Sequence, residues 1–388
     1  MQRRRGNAVR AATTATITLA LVLGPAGPAE AQEYTFVEVA DSVADGFDPN
    51  NFGCAAINAR GDVAFRTGRL ADDGFNTVDG IYRIDARTGQ LTTIAENERR
   101  FTFIGVNPSL NDSGQVSFAA SLERGGEAIF RGRGDGLTTI ATTRNAPFNF
   151  FGFDTSINNA GVVAFKAELD EEFGFDEGLF SGRGGRATTH YLASTSQFAG
   201  VDSRPSINNL GAIAFQETLD ADFTNGVFVT AGASFTTIAL ADPESSVGVP
   251  VLNDQGVVAF ETSFVDEATQ EFVTAIVTGT GGPLTTVADT TGPFAFFGFR
   301  PPSLNSSGDV AFLATLDDAS TTGIFTGPDA DTDRVIATGD VLAGAIVQNL
   351  VFCEEGLSDT GQLAFVATLE DPTTPEGFRV AVFRAVPS

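Results

Sequence analysis

Along the chain, four apolar residues recur directly after a turn-forming tetrapeptide. The stretch from 158 to 165 reads NNAGVVAF. It returns as NARGDVAF at 58, NDSGQVSF at 111, NNLGAIAF at 208, NDQGVVAF at 253, NSSGDVAF at 305 and SDTGQLAF at 358, in steps of 45 to 53 residues. A run such as Val162-Val163-Ala164-Phe165 lacks the polar alternation of a half-solvated strand, so it needs cover on both faces. Asn at the head of a type I turn bonds its side chain to a backbone N–H two residues on, and Gly at the fourth place accepts positive φ. Asn158 to Gly161 is therefore expected to be a hairpin turn that opens into a doubly covered strand.

Three further segments repeat in phase with the octapeptide. An apolar piece near a Gly follows it, as in EAIFRGR (127–133) and EGLFSGR (177–183); then comes a Thr-rich strand, LTTIA at 91 and 137 or FTTIA at 235. A fourth segment, such as FGFDTSI (151–157), leads into the next turn. Four short strands per unit with hairpin-length links, repeated seven times, predict an all-β fold: a seven-bladed β-propeller with four antiparallel strands per blade. The segment YTFVEVADS (34–42) reads as a fourth strand without its first three, and the last unit stops after its third strand, RVAVFRA. The first strand is expected to join the last blade and close the ring.

Within each octapeptide the seventh residue is small (Ala64, Ser117, Ala164, Ala214, Ala259, Ala311, Ala364) and the eighth is always Phe. Small beside large, repeated around a ring, predicts that the Phe of one blade fills the space left by its neighbour. Cys54 and Cys353 are the only cysteines, each four or five residues before its octapeptide, in the first complete unit and in the last unit. Those units are neighbours in a closed ring, so a Cys54–Cys353 disulfide is expected, for which the oxidising environment of an exported chain is suited.

Export is indicated by the start of the chain. Arg3, Arg4 and Arg5 precede an apolar stretch from Ala11 to Leu23 and an Ala29-Glu30-Ala31 cleavage pattern. Residues 1–31 thus read as a secretory signal peptide, too short in its apolar core for a membrane span, and 32–388 as one propeller domain, secreted to the extracellular space or periplasm. Charge narrows the partners. The chain carries one Lys, Lys166, and 49 acidic residues, with a formal charge of −26. Nucleic acid and anionic membranes reward Lys and Arg clusters and are excluded as partners; the acidity is read as solubility, with a cation site or cationic partner as the alternative. The expected state is a monomer.

With these motifs in view, the repeated N-x-x-G-x-V-A-F resembles that of the exported bacterial choice-of-anchor tandem-repeat NxxGxxAF proteins over nearly all of the chain after residue 31. The resemblance implies export and a repeat fold, and no activity. Ser358 departs from the pattern in the last copy, and the C-terminal anchoring tail of many members is absent.

Candidate chemistry is sparse. His190, in ATTHYLA, is the only histidine and lies on an outer Thr-rich strand, so neither a histidine-built metal site nor a Ser-His-Asp arrangement is in prospect. Inner strands line the axial channel, and theirs offer Asp154, Asp202, Arg204, Arg300, Glu354 and Glu355 as ligand-binding candidates. In DADTD, Asp329, Asp331 and Asp333 alternate like the start of a calcium loop, without its sixth-position Gly or distal Glu; calcium is the one cofactor the sequence brings up. Acidic residues follow each second strand, among them Asp72, Asp73, Glu123, Asp170, Glu172, Asp220, Asp266, Glu267, Asp318 and Asp371. Because strand direction alternates, these loops share a face with the links FNFFGF (148–153) and FAFFGF (294–299). Two readings of the Phe residues stand side by side: an exposed interaction surface, or plugs between blades. The leading function is a non-enzymatic binding module presenting this acidic, Phe-rich rim to a protein or glycan. A carbohydrate-active hydrolase or lyase using the channel carboxylates, and a structural exoprotein, are the alternatives.

Overall fold

Asn-x-x-Gly does form the turn its chemistry predicts. In the computed structural model, which describes residues 32–388 apart from 71–76, 98–99, 145–146, 171–175, 200–203, 233 and 267, Gly161 N–H donates to Asn158 C=O (2.8 Å) and Asn158 N–H to Val162 C=O (3.0 Å). The seven motif glycines all have positive φ, from 72° to 94°. This is the left-handed region that glycine alone occupies without strain. Each turn joins an inner strand to a second strand: Ala55–Ile57 to Val63–Leu70 in the first blade, Phe148–Ile157 to Val163–Leu169 in the third, Ala345–Val351 to Leu363–Glu370 in the seventh.

Seven antiparallel sheets result, one per octapeptide, arranged as a propeller. The third blade shows the common order, Phe148–Ile157, Val163–Leu169, Glu177–Gly182, Thr188–Leu192. In the seventh, Tyr34–Asp41 pairs antiparallel with Phe378–Pro387, so the first described strand completes the last sheet as expected. Among the described residues the helical content is a 3-10 turn at Ala193–Thr195, and no helix is long and apolar enough to cross a membrane.

The core runs between blades, and the small-large pairing explains it. Ala64 shares a buried cluster with Phe118 of the next blade, Ala164 with Phe215, Ala214 with Phe260, Ala259 with Phe312, Ala311 with Phe365, and Ala364 with Phe65 across the closure. All seven motif Phe side chains are buried, and fully burying one contributes roughly 1.5–3 kcal/mol before entropy. Cover begins one residue later than the pattern predicts: Val163 to Phe165 are buried, whereas Val162 is only half-buried. Its place belongs to the turn, and Asp62, Gln115 and Gln362 occupy it elsewhere.

The turn asparagines do more than close their own hairpins. Asn158 Oδ1 accepts from Val162 N, and its Nδ2 donates to Asn208 C=O in the next blade (3.1 Å). The same link runs from Asn58 to Asn111, Asn111 to Asn158, Asn208 to Asn253 and Asn253 to Asn305. The amide accepts through its oxygen while its nitrogen donates, and Asp, which has no donor, does not substitute. The belt ends at Asn305, whose Nδ2 donates to Asp309 Oδ2 of its own turn (2.8 Å), and the Cys54–Cys353 disulfide joins first and last blades, Cα to Cα 5.8 Å, across 299 residues of sequence.

Candidate functional site

Inner strands converge on an axis, and four levels of side chain can be followed along it. The Asn belt rings one end, around a recess of about 150 Å³. One step inward, serines repeat the stitching: Ile157 N–H donates to Ser109 Oγ, Ile207 to Ser156, Leu252 to Ser206 and Leu357 to Ser303, at 2.9 to 3.1 Å. Blade one has Ala56 at this level, and the carboxylate of Glu355 takes over the missing role. Its Oε2 accepts from Leu110 N (2.9 Å), and Ser109 Oγ donates to its Oε1. Burial pushes the Glu355 carboxyl up to about 8, against the hydrogen bonds from Ser109 and Leu110 and with the help of the nearby Glu354 charge.

A charged cross-brace lies at the next level, two residues before the serines. Arg204 binds Asp154 through Nε (3.0 Å) and Glu354 through Nη1 (3.1 Å), linking blades three, four and seven. Asn107 Nδ2 donates to Asp154 Oδ1 (2.6 Å). Arg300 Nη1 approaches Asn107 Oδ1 (3.3 Å) and Cys54 Sγ (3.0 Å). Burial lowers the Arg300 pKa, opposed by Glu354 and reinforced by Arg204; burial also opposes the charge of Arg204, but Glu354 and Asp154 outweigh it. Glu354 Oε2 is buried with no hydrogen-bond partner among the described residues.

Beyond the brace the channel opens into a recess of about 500 Å³ between blades three and four, lined by Phe150, Phe153, Asp154, Glu168, Glu177 and Arg204 among others. The Phe links divide evenly between rings that plug the space between strands and rings that are exposed. In FNFFGF a register shift between Phe148 and Phe150 turns Phe148 and Phe151 inward, where they pack against Phe165 at 5.9 and 5.6 Å. Phe150 and Phe153 consequently face solvent, and FAFFGF repeats the arrangement with Phe294 and Phe297 buried, Phe296 and Phe299 exposed. Phe153 also meets Phe103 of blade two edge to face at 5.0 Å. Phe299 is 97% exposed, and the remaining exposed phenylalanines among the described residues, Phe223 and Phe272, lie in second-to-third hairpins of the same face.

The acidic loops prove to be turn chemistry to a large extent. Asp266 Oδ1 accepts from Ala268 and Thr269 N–H, Asp318 Oδ1 from Ser320 and Thr321, and Asp371 Oδ1 from Thr373. Hydrogen bonds from the Thr321 hydroxyl and backbone hold the exposed Asp318 at about 2, and similar bonds lower Asp266 and Asp371. Asp72, Asp73, Glu172, Glu267 and the channel candidate Asp202 lie outside the described residues.

Asp154, Arg300 and Glu354 are thus brought together, while Glu355 turns the other way, toward the serine level. The DADTD segment forms the turn between Thr322–Phe325 and Arg334–Ala337. There Asp329 Oδ1 accepts from Asp331 and Thr332 N–H, and Asp333 Oδ2 from Asp329 N–H. Among the described residues the one trio of potential metal-ligand atoms within 4.8 Å of one another is Cys54, Cys353 and Glu354, and its two sulfurs are bonded to each other. His190 sits on the fourth strand of blade three, its Nε2 2.9 Å from Ser181 Oγ, with burial lowering its pKa. Sequence reasoning missed the Asn107 member of the brace, whose signal was its position four residues before Asn111, the counterpart of Cys54 and Asp154.

Solved structures share the architecture. An oligogalacturonate lyase, described in complex with manganese, is similar over 93% of this chain and 98% of its own, at a TM-score of 0.55 and 13% identity. An acylaminoacyl peptidase of Pyrococcus horikoshii is similar at a TM-score of 0.50 and 9% identity, over 83% of this chain and 51% of its own. The β-propeller domain of the Trilobed protease from Pyrococcus furiosus covers 74% of this chain at a TM-score of 0.39 and 11% identity. These likenesses concern the fold alone. No curated protein matches the chain in sequence. Residues 57–381 match a defined family, and the chain belongs to it: the "Family of unknown function (DUF7453)".

Proposed function

We propose that the protein is an exported, non-catalytic binding module that holds a glycan or protein partner on its Phe-bearing face. The observation that carries this reading is the exposure of Phe150 and Phe153 beside a recess with charges of both signs, with Phe296 and Phe299 exposed on the corresponding link of blade six. Solvent-facing aromatic groups around a concavity are the usual anchors of a recognition surface. The carboxylates of the channel brace argue against catalysis. Asp154 and Glu354 are both ion-paired to Arg204, whereas acid–base work on a glycosidic bond needs two carboxyl groups free to act about 5 to 10 Å apart. Export is supported by the sequence of residues 1–31, by the resemblance to NxxGxxAF proteins and by a disulfide of the kind stable in oxidising compartments.

The competing reading, a hydrolase or lyase working through Asp154, Glu354 or Glu355 with Arg300, is tested in the same assay. Likeness to an oligogalacturonate lyase makes saccharides the first class to screen. The purified chain from residue 32 onward is immobilised and challenged with a glycan array and with the native secretome, alongside the Phe150→Ala/Phe299→Ala variant. Retention by the parent and at least a tenfold loss in the variant are expected, aromatic anchors contributing about 2 kcal/mol or more. Equal retention by both, retention by neither, or cleavage of the offered glycan overturns the proposal.

A further inference from the structure

A second recess, outside the channel, has the opposite electrostatic character to the rest of the chain. It measures about 410 Å³ and lies at the outer part of blade two, lined by Arg100, Arg124 and Arg144 over a floor that includes Leu122 and Phe130, with Glu123 as its one acidic side chain among the described residues. In a chain with a net charge of −26, three guanidiniums around one concavity are a concentration, not a background.

Their placement follows from local chemistry peculiar to this blade. Where the corresponding hairpins of blades five, six and seven fold back on the carboxylates of Asp266, Asp318 and Asp371, blade two reads Glu123-Arg124-Gly125-Gly126. Both glycines have positive φ, 80° and 78°, so the turn forms without a carboxylate to organise it. Arg144, on the link to blade three, donates from Nε to Gly125 C=O (3.0 Å), which anchors it to that hairpin. Arg100, on the link from blade one, lies over the rings of Phe130 and Phe101 at 4.7 and 5.2 Å. Two of the three guanidiniums are therefore held in place before any ligand arrives, and no salt bridge engages any of the three among the described residues. A planar fork of N–H donors matches carboxylate, sulfate or phosphate oxygens in pairs, and ordering in advance reduces the entropy lost on binding.

We infer that this recess is a binding site for a small oxyanion-bearing ligand, a carboxylated or sulfated sugar residue being the class that fits its size and its site on an exported chain. Hydrogen bonds from Arg124 and Arg144 hold the anionic group, and Arg100 supplies the third charge from its stacked position. The site is separate from the Phe-bearing mouth of the channel and does not depend on its function.

Titration calorimetry with D-glucuronate, glucose 6-sulfate, inorganic sulfate and glucose tests it, on the chain from residue 32 onward and on Arg124→Gln/Arg144→Gln. Expected are saturable binding of one or both anionic sugars, none of glucose, and weakening of about tenfold or more in the double variant. A separate Arg144→Lys variant keeps the charge but loses the fork, and weakening there identifies paired hydrogen bonding. The Phe150→Ala/Phe299→Ala variant should bind the anions as the parent does, which separates failure of this site from failure of the rim. Binding of inorganic sulfate alone, equal binding of glucose, or anion binding that survives loss of both arginines in a variant with unchanged thermal unfolding overturns the inference. So does the absence of saturable binding by any of the probes.

Discussion

The two faces of the propeller are built on opposite terms. On the turn face, seven copies of one tetrapeptide repeat one geometry, and Asn side chains, serine hydroxyls and third-strand arginines tie each blade to the next. Arg384 Nη1, for example, donates to Gly61 C=O (3.1 Å) across the closure. On the opposite face the described loops and links differ from blade to blade: inner strands bulge, some links carry exposed Phe, and blade two has an Arg-Gly-Gly hairpin where blades five to seven have Asp-capped turns. Regularity serves assembly, because every interface must satisfy the same buried donors and acceptors. Departures gather where no neighbouring blade constrains them, and a surface free of that constraint is where specificity can be placed.

If the turn face holds the ring together, the largest loss should come from its closure. Replacing Cys54 and Cys353 by Ser is expected to lower unfolding free energy by about 3–5 kcal/mol, below the roughly 5–6 kcal/mol that the chain-entropy account assigns to so long a loop, since the Tyr34–Asp41 strand still pairs with Phe378–Pro387. Denaturant titration measures it, and a loss under about 1 kcal/mol would mean that strand pairing alone closes the ring. Next in size is Asn158→Ala, which removes the acceptor for Val162 N–H within the turn and the donor to Asn208 C=O. A cost of about 2–3 kcal/mol is expected, with Asn158→Asp also destabilising because it cannot donate. An aspartate variant as stable as the parent would remove the inter-blade bond from the account.

Glu355 gives a pH signature to the closure. A carboxyl whose folded pKa is raised from 4.5 to about 8 keeps its proton in the folded state while the unfolded chain releases it, so stability falls as pH rises from about 4.5 to about 8, by an amount on the order of a few kcal/mol. Glu261, raised to about 7 by burial, adds to the same slope. The lowered carboxyls Asp318, Asp266 and Asp371 work in the opposite sense, contributing stability above their unfolded value of 3.8 that is lost as pH falls through their lowered values, about 2 for Asp318. Urea midpoints should therefore peak near pH 5 and decline toward pH 8, and Glu355→Gln should flatten the decline; an unchanged slope would show that Glu355 ionises in the fold as it does in water. The smallest effect on stability belongs to the other face. Phe150→Ala/Phe299→Ala should stay within about 0.5 kcal/mol of the parent, as exposed substitutions do, and a larger loss would make those rings part of the core.

Much of the architecture was legible because it depends on periodicity. The octapeptide predicts turn, strand and blade count, and position within the ring makes Cys54 and Cys353 neighbours although 299 residues separate them. The candidate site was legible only as a list of channel-facing residues. Asp154 and Glu354 belong to one brace, yet the adjacent Glu355 reaches Ser109 instead, because blade one offers Ala56 where four other blades have Ser. Likewise the alternation of Phe residues does not reveal which ones face solvent, since one extra residue in a bulge exchanges inside for outside.

What the sequence determined by itself, then, is everything that rests on local propensity repeated at a fixed step: hairpins, doubly covered strands, seven blades and the pairing at the closure. Only the tertiary structure decided which carboxylate is ion-paired, which aromatic ring meets solvent and which arginines share a recess. Those outcomes depend on side chains from different blades meeting at distances of about 3 Å, and that meeting exists only once the ring has closed.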